Sequence, residues 1–196
     1  LERRDELAAS VEGLLAEHGP VHVLVNNTGG PPSGPILEAG EDDFLVAIGR
    51  HLLASHLLVK AVLPGMVDAG FGRIVNVISL SVREPIVGLG VSNTVRGAMA
   101  SWSKTLAKEL PDCVTINNVL PGYTDTGRLR SLQAQMAERN GVTMDAVADG
   151  WITNTPAHRL GRPDELGAAI AFLATPAAAY IRGVNLPVDG GRLNGM

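Results

Sequence analysis

Short runs rich in valine and isoleucine alternate along this chain with longer stretches whose apolar residues return every three or four positions. A short apolar run with no polar face suits a strand covered on both sides, and a period near 3.6 suits a helix with one buried stripe. Strands buried on both faces and separated by helices pair in parallel, with the helices as crossovers. The strand-like runs are residues 21–25, 73–79, 114–120 and 184–188. The first is read as a buried strand ending in Asn26-Asn27-Thr28-Gly29-Gly30.

Between these runs, residues 5–17 carry Leu7, Val11, Leu14 and Leu15 at helical spacing, and Gly19-Pro20 ends that helix. Residues 41–66 begin with Glu41, Asp42 and Asp43, acidic residues where a helix N-terminus favours negative charge, and continue through Phe44, Ile48, Leu52, Val59, Val62 and Met66. Further helices are expected over 91–110, 128–138, 144–152 and 163–173, the last with Pro163 in its first turn. The stretch 127–161 reads as the least regular and is expected to form a mobile flap. The chain starts with Leu1, directly before Glu2-Arg3-Arg4-Asp5-Glu6, in what reads as a helix whose beginning has been lost.

All 196 residues are read as one domain without repeats or linkers, 45% hydrophobic and 18% charged. A net charge of −4 gives little electrostatic support to nucleic-acid or anionic-membrane binding. No apolar run is read as long enough to span a bilayer. The single cysteine, Cys113, has no intrachain disulfide partner and no nearby metal-ligand cluster, so no metal site is expected and a reducing, cytoplasmic setting is.

Four segments carry a resemblance: Val23-Leu24-Val25-Asn26-Asn27-Thr28-Gly29, Gly72-Arg73-Ile74-Val75-Asn76-Val77-Ile78-Ser79, Asn117-Asn118-Val119-Leu120-Pro121-Gly122 and Leu186-Pro187-Val188-Asp189-Gly190-Gly191. In this order and spacing the chain resembles the short-chain dehydrogenase/reductases over nearly its whole length. The resemblance implies an α/β fold with a doubly wound, Rossmann-like parallel sheet, here lacking its first strands. It also implies NAD or NADP bound along the carboxyl ends of the strands. Asn26, Thr28 and Gly29 match the loop beside the adenosine ribose; Pro121, Gly122, Thr124 and Thr126 match the turn that meets the nicotinamide carboxamide. The same residues also suit a purely structural reading, in which the asparagines satisfy backbone groups and Pro121-Gly122 ends a strand. The family's Gly-x-x-x-Gly-x-Gly turn, whose N–H groups meet the pyrophosphate, does not occur in the sequence, so cofactor binding by these residues is expected to be weak and the choice between NAD and NADP is not legible.

In the family a tyrosine, with a lysine one helical turn later, exchanges a proton at the substrate oxygen. A serine holds that oxygen, and an asparagine supports a relay water. Ser79 matches the serine. Ser92 stands at the tyrosine position, Arg96 at the lysine position and His51 at the asparagine position. An aliphatic hydroxyl is a poor acid and an arginine stays charged, so Ser92 and Arg96 do not reproduce the family's proton donor. Tyr123, directly after Pro121-Gly122, is the phenol nearest the expected site and is a candidate donor or a packing residue. Trp102 and Trp151 read as core or interface residues. No Gly-x-Ser-x-Gly elbow supports a hydrolase.

Two functions remain open: an oxidoreductase with a degenerate site, acting on a small carbonyl or alcohol compound, and a catalytically inactive scaffold. The resemblance further implies a homodimer or homotetramer packed through residues 41–66 and 91–110. Val91, Val95, Met99 and Trp102, with small residues between them, are expected to serve more than one face of the second helix.

Overall fold

The computed structural model describes residues 3–195. Among these residues four strands form one sheet: β1 (Val23–Asn26), β2 (Gly72–Val77), β3 (Val114–Pro121) and β4 (Asn185–Val188), adjacent in chain order and all parallel. The helices are α1 (Arg4–His18), α2 (Glu41–Ile48), α3 (Ala54–Asp68), α4 (Gly90–Glu109), α5 (Gly127–Asn140), α6 (Met144–Thr153) and α7 (Pro163–Leu173). This is the expected α/β, Rossmann-like layering, and the elements begin and end within a few residues of their sequence-based bounds. The reading of a lost helix start at Leu1 and Glu2 lies outside the described residues.

The pleat divides the sheet's apolar residues between two cores. Ile74, Val114 and Ile116 meet Val59, Val62 and Met66 of α3 and Ala107 of α4. Val75 and Val119 meet Leu173 of α7 and Ala178 on the opposite face. Every residue of β2 is buried, as a strand covered on both sides requires. Each fully buried large side chain, such as Met66, Ile74 or Leu120, contributes about 1.5–3 kcal/mol.

β1 departs from the buried strand expected. Val23 and Val25 are 41% and 42% exposed, because they point to a face of β1 that no described helix covers as α7 covers β2 to β4. Its last residue is buried all the same. Asn26, Asn76, Asn118 and Asn185 stand opposite one another in register, one per strand. Their amides join in a single direction: Asn26 Nδ2 donates to Asn76 Oδ1 (2.8 Å), Asn76 Nδ2 to Asn118 Oδ1 (2.9 Å) and Asn118 Nδ2 to Asn185 Oδ1 (2.7 Å). At the β1 end Asn26 Oδ1 is buried without a partner among the described residues.

α2 runs into α3 through a π-helical turn at Gly49–Leu53, and this widened turn carries His51 to the interior. Single π turns of this kind recur at functional sites. The combined helix Glu41–Asp68 has a mean hydropathy of 1.4 over its most apolar window and is long enough to cross a bilayer, contrary to the sequence reading. Its buried stripe of Ala47, His51, Ala54, Val59, Val62 and Met66 is occupied by the protein's own core.

The stretch 127–161, read as the least regular, contains the two expected helices, α5 and α6. Thr126 Oγ1 accepts from Leu129 N (3.3 Å) to cap α5, Gly141 ends it in a left-handed conformation (φ 64°), and Thr143 Oγ1 accepts from Ala146 N (3.1 Å) to cap α6. Ala137, Val147 and Trp151 give the two helices a small core of their own.

Candidate active site

A cleft of about 470 Å³ opens at the carboxyl ends of β1, β2 and β3. On one side it is lined by Ser79, Ser92 and Arg96, and on the other by Tyr123, Thr124, Thr126, Arg128 and Arg192. Thr28, Gly29, Pro121 and Gly122 lie between them.

On the α4 side, polar groups are tied to main chain. Ser79 follows β2, and its Oγ accepts from Ser81 N (3.1 Å) at the turn Leu80–Val82. Ser92 lies in the first turn of α4. Arg96 follows one turn later, is only 7% exposed, and donates from Nη1 to Val77 O (3.0 Å) and from Nη2 to Thr28 O (3.4 Å). Its Nε is buried without a partner among the described residues. Burial, then the charge of Arg128, lowers this guanidinium to about 10, which leaves it a fixed cation at neutral pH.

His51 does not line the cleft; it stands one layer behind. Its Nδ1 is hydrogen-bonded to Thr28 Oγ1, and its buried Nε2 has no partner among the described residues. Burial, then the charges of Arg96 and Arg50, pushes the imidazole down to about 4, so it is neutral at pH 7. Thr28 thus connects His51 through its hydroxyl to Arg96 through its carbonyl.

The opposite side is held by rings and helix ends. Tyr123 stacks on Trp151 of α6, with centroids 4.9 Å apart and planes at 17°, and the Arg192 guanidinium lies 4.4 Å over the phenol ring. Tyr123 O accepts from Gly161 N (2.8 Å), which fixes the backbone. Gly122 has no room for a side chain, since a Cβ there would meet the Asp189 backbone at 2.6 Å. Thr124 Oγ1 donates to Gly122 O (3.4 Å), while Thr126 caps α5.

Of the residues expected to touch a cofactor, Thr28, Gly29, Pro121, Gly122, Thr124 and Thr126 line the cleft. Asn26 does not: its amide belongs to the ladder across the sheet, and Asn27 faces the cleft in its place. Arg128 and Arg192 were not singled out from the sequence. Arg128 had a readable sign, a cation in the first turn of a helix where the macrodipole disfavours one. Arg192 had none, because its place depends on the loop after β4 folding back on Tyr123. Met99, expected at a subunit interface, is 2% exposed and packs with Ile78, Leu80 and Leu120 in the chain's own core. Val91 and Val95 are likewise buried. The exposed side of α4 presents Thr94, Ala98, Ser101 and Thr105 instead.

Of the groups a nicotinamide dinucleotide would need, the cleft offers polar hydroxyls at Thr124 and Thr126, where the nicotinamide end is expected, and at Gly29 open backbone, where the adenosine ribose is expected. Among the described residues no strand runs into a helix through a turn with Gly-x-x-x-Gly-x-Gly spacing: Gly29, Gly30 and Gly34 precede only the short turn Ile36–Glu38.

Residues 1–192 match the family model described as enoyl-(acyl carrier protein) reductase. The chain is 30% identical over 188 residues to acetoacetyl-CoA reductase of Allochromatium vinosum and 31% identical over 188 residues to 3-oxoacyl-[acyl-carrier-protein] reductase FabG of Vibrio harveyi, in each case covering 95% of this chain and 72% of the relative. Among solved structures it is similar to a variant actinorhodin polyketide ketoreductase with NADPH (29% identity, TM-score 0.92, covering 99% of this chain and 76% of that one). It is also similar to L-sorbose reductase from Gluconobacter frateurii complexed with NADPH and L-sorbose (26% identity, TM-score 0.91, covering 100% and 75%). With the strand order, the strand-end cleft and the serine at the close of β2 all in place, the chain belongs to the short-chain dehydrogenase/reductase family of oxidoreductases.

Proposed function

We propose that the protein transfers hydride between a nicotinamide cofactor and a small carbonyl or alcohol compound, through a site that has exchanged the family's tyrosine and lysine for Ser92 and Arg96. The observation that carries this reading is the grouping of Ser79, Ser92, Arg96 and Tyr123 around one cleft whose floor is the family's cofactor turn. NADPH is the favoured cofactor, because the similar ketoreductase and sorbose reductase were solved with it.

The bound cofactor would supply the hydride. Ser79 and Ser92 would hold the carbonyl oxygen by donating hydroxyl hydrogens. Arg96 would stabilise negative charge growing on that oxygen without giving up a proton. Tyr123 is the phenol in the cleft, and it would donate the proton that completes the alcohol. His51, neutral and tied to Thr28, would keep the Thr28–Arg96 contact in place.

A second reading, a catalytically inactive scaffold, is favoured by one observation: Tyr123 is clamped between Trp151 and Arg192, as a packing residue would be. For either reading we place the protein in the cytoplasm, which the free Cys113 supports, and as a homodimer or homotetramer. The exposed Leu45, Val46 and Leu53 beside the small exposed residues of α4 support that assembly. The deciding test follows NADPH consumption by the purified protein over a panel of ketones. Saturable turnover supports the oxidoreductase, and absence of turnover with a folded oligomer supports the scaffold.

A further inference from the structure

The charges in the cleft do not balance. Arg96, Arg128 and Arg192 all line it, and no aspartate or glutamate does. Three carboxylates next to lining residues are engaged elsewhere: Asp125 with Arg130 (2.6 Å), Glu165 with Arg159 (2.7 Å), and Asp189 with the backbone N–H groups of Gly191 and Leu193 (3.0 and 2.9 Å). Among the described residues none of the three cleft arginines has a carboxylate partner. Arg96 and Arg128 are instead anchored on carbonyls of one loop, Arg96 to Thr28 O (3.4 Å) and Arg128 to Pro31 O (2.7 Å), and Arg192 rests on the Tyr123 ring.

Two of these arrangements work against isolated stability. Arg96 is more than nine-tenths buried with an unused Nε–H, and an unpaired buried cation is costly. Arg128 sits in the first turn of α5, the end of a helix that favours anions. Three guanidiniums around one cleft repel one another until an anion enters, and a guanidinium matches the paired oxygens of a carboxylate or phosphate.

We propose that the cleft is an oxyanion site and that the anion is the carboxylate of the substrate, which makes the substrate class small oxo acids or their hydroxy acids. Naming the reacting group as a ketone or alcohol rests on the oxidoreductase reading; the binding of the carboxylate does not. The hydroxyls of Ser79 and Ser92 hold the polar end of the molecule, and Ile86, Leu89 and Leu129 provide an apolar wall for its carbon chain.

The test is calorimetric binding to the intact protein, without turnover, of acetoacetate, its uncharged methyl ester and inorganic pyrophosphate. Acetoacetate is expected to bind at least about tenfold more tightly than the ester, and that preference is expected to shrink with added salt. Arg128→Gln and Arg192→Gln, both away from the core, should each weaken acetoacetate about tenfold or more and leave the ester unchanged, with circular dichroism confirming the fold. Equal binding of acid and ester, or no binding of either, overturns the proposal. Pyrophosphate binding that depends on these arginines, without acetoacetate binding, also overturns it, because the cations then serve a cofactor's phosphates. Acetoacetate binding by a folded protein that reduces no ketone of the panel keeps this proposal and refutes the oxidoreductase reading, so the two fail separately.

Discussion

On the α4 side of the cleft Ser79 and Arg96 are fixed by main chain, Ser79 by the Ser81 amide and Arg96 by the Val77 and Thr28 carbonyls. On the α5 and α6 side the same cleft is shaped by a stacked phenol, a stacked indole and a guanidinium lying on a ring. The first side holds charge in place but has no group that readily gives up a proton near neutrality. The second has a phenol, but one whose ring is stacked on Trp151 and covered by Arg192. In the function proposed above, two tasks that a tyrosine and lysine on one helix would join are separated: electrostatic stabilisation falls to Arg96 on one wall and proton donation to Tyr123 on the other.

The strongest way to break this comparison is to restore the family's pair on the α4 side. Ser92→Tyr with Arg96→Lys is expected to raise ketone reduction by about 10²–10⁴-fold, the usual worth of a positioned general acid. Steady-state rates with NADPH check it. A folded, cofactor-binding double variant with no gain would mean that the α4 wall differs in shape as well as in chemistry.

A second change attacks the sheet on which both walls stand. Asn76 is fully buried and links two neighbours in the asparagine ladder, so Asn76→Leu leaves Asn26 Nδ2 and Asn118 Oδ1 without their partners. A loss of about 3 kcal/mol is expected in urea unfolding. Asn26→Leu should cost less, because it orphans one group only and removes an Oδ1 that is already unpaired.

His51 sharpens the α4 side through pH. Its folded-state value is about 4, against 6.5 for the ordinary side chain. Between these values the unfolded chain takes up a proton that the folded protein refuses, so stability falls as pH drops from 6.5 towards 4 and levels off below it. The full loss is about 3 kcal/mol. Urea unfolding across that range should show this slope, and His51→Asn should flatten it.

The positions on the α4 side were legible through the family resemblance, because strand and helix hold fixed spacings. Ser79 closes a valine-rich strand, and Ser92 and Arg96 follow on one helix, so counting places all three. The other wall was only half legible. Tyr123 follows a strand-ending Pro121-Gly122, but its clamp needs Trp151 and Arg192, which reach it through tertiary packing that no local pattern encodes. The fold was readable nearly throughout for the same reason, since β-branched runs and helical stripes are local. The exceptions each have a cause. β1 read as buried because its composition is valine-rich, yet exposure depends on which helices cover it. Within residues 127–161 the two helices were legible from their spacing, whereas the way they are capped at Thr126, Gly141 and Thr143 and packed on each other was not, so the stretch as a whole read as a flap. Met99 read as an interface residue because periodicity shows that a face is apolar but not which partner buries it.

The division of labour between the two walls is tested most directly by Tyr123→Phe. The substitution removes one hydroxyl, keeps the ring between Trp151 and Arg192, and is expected to change stability by less than about 0.5 kcal/mol. Measured side by side, substrate affinity by calorimetry and the single-turnover rate of NADPH oxidation should part company. The account predicts unchanged affinity and a rate about 10²-fold lower, or more. An unchanged rate in the folded variant would contradict it and return Tyr123 to the role of a packing residue.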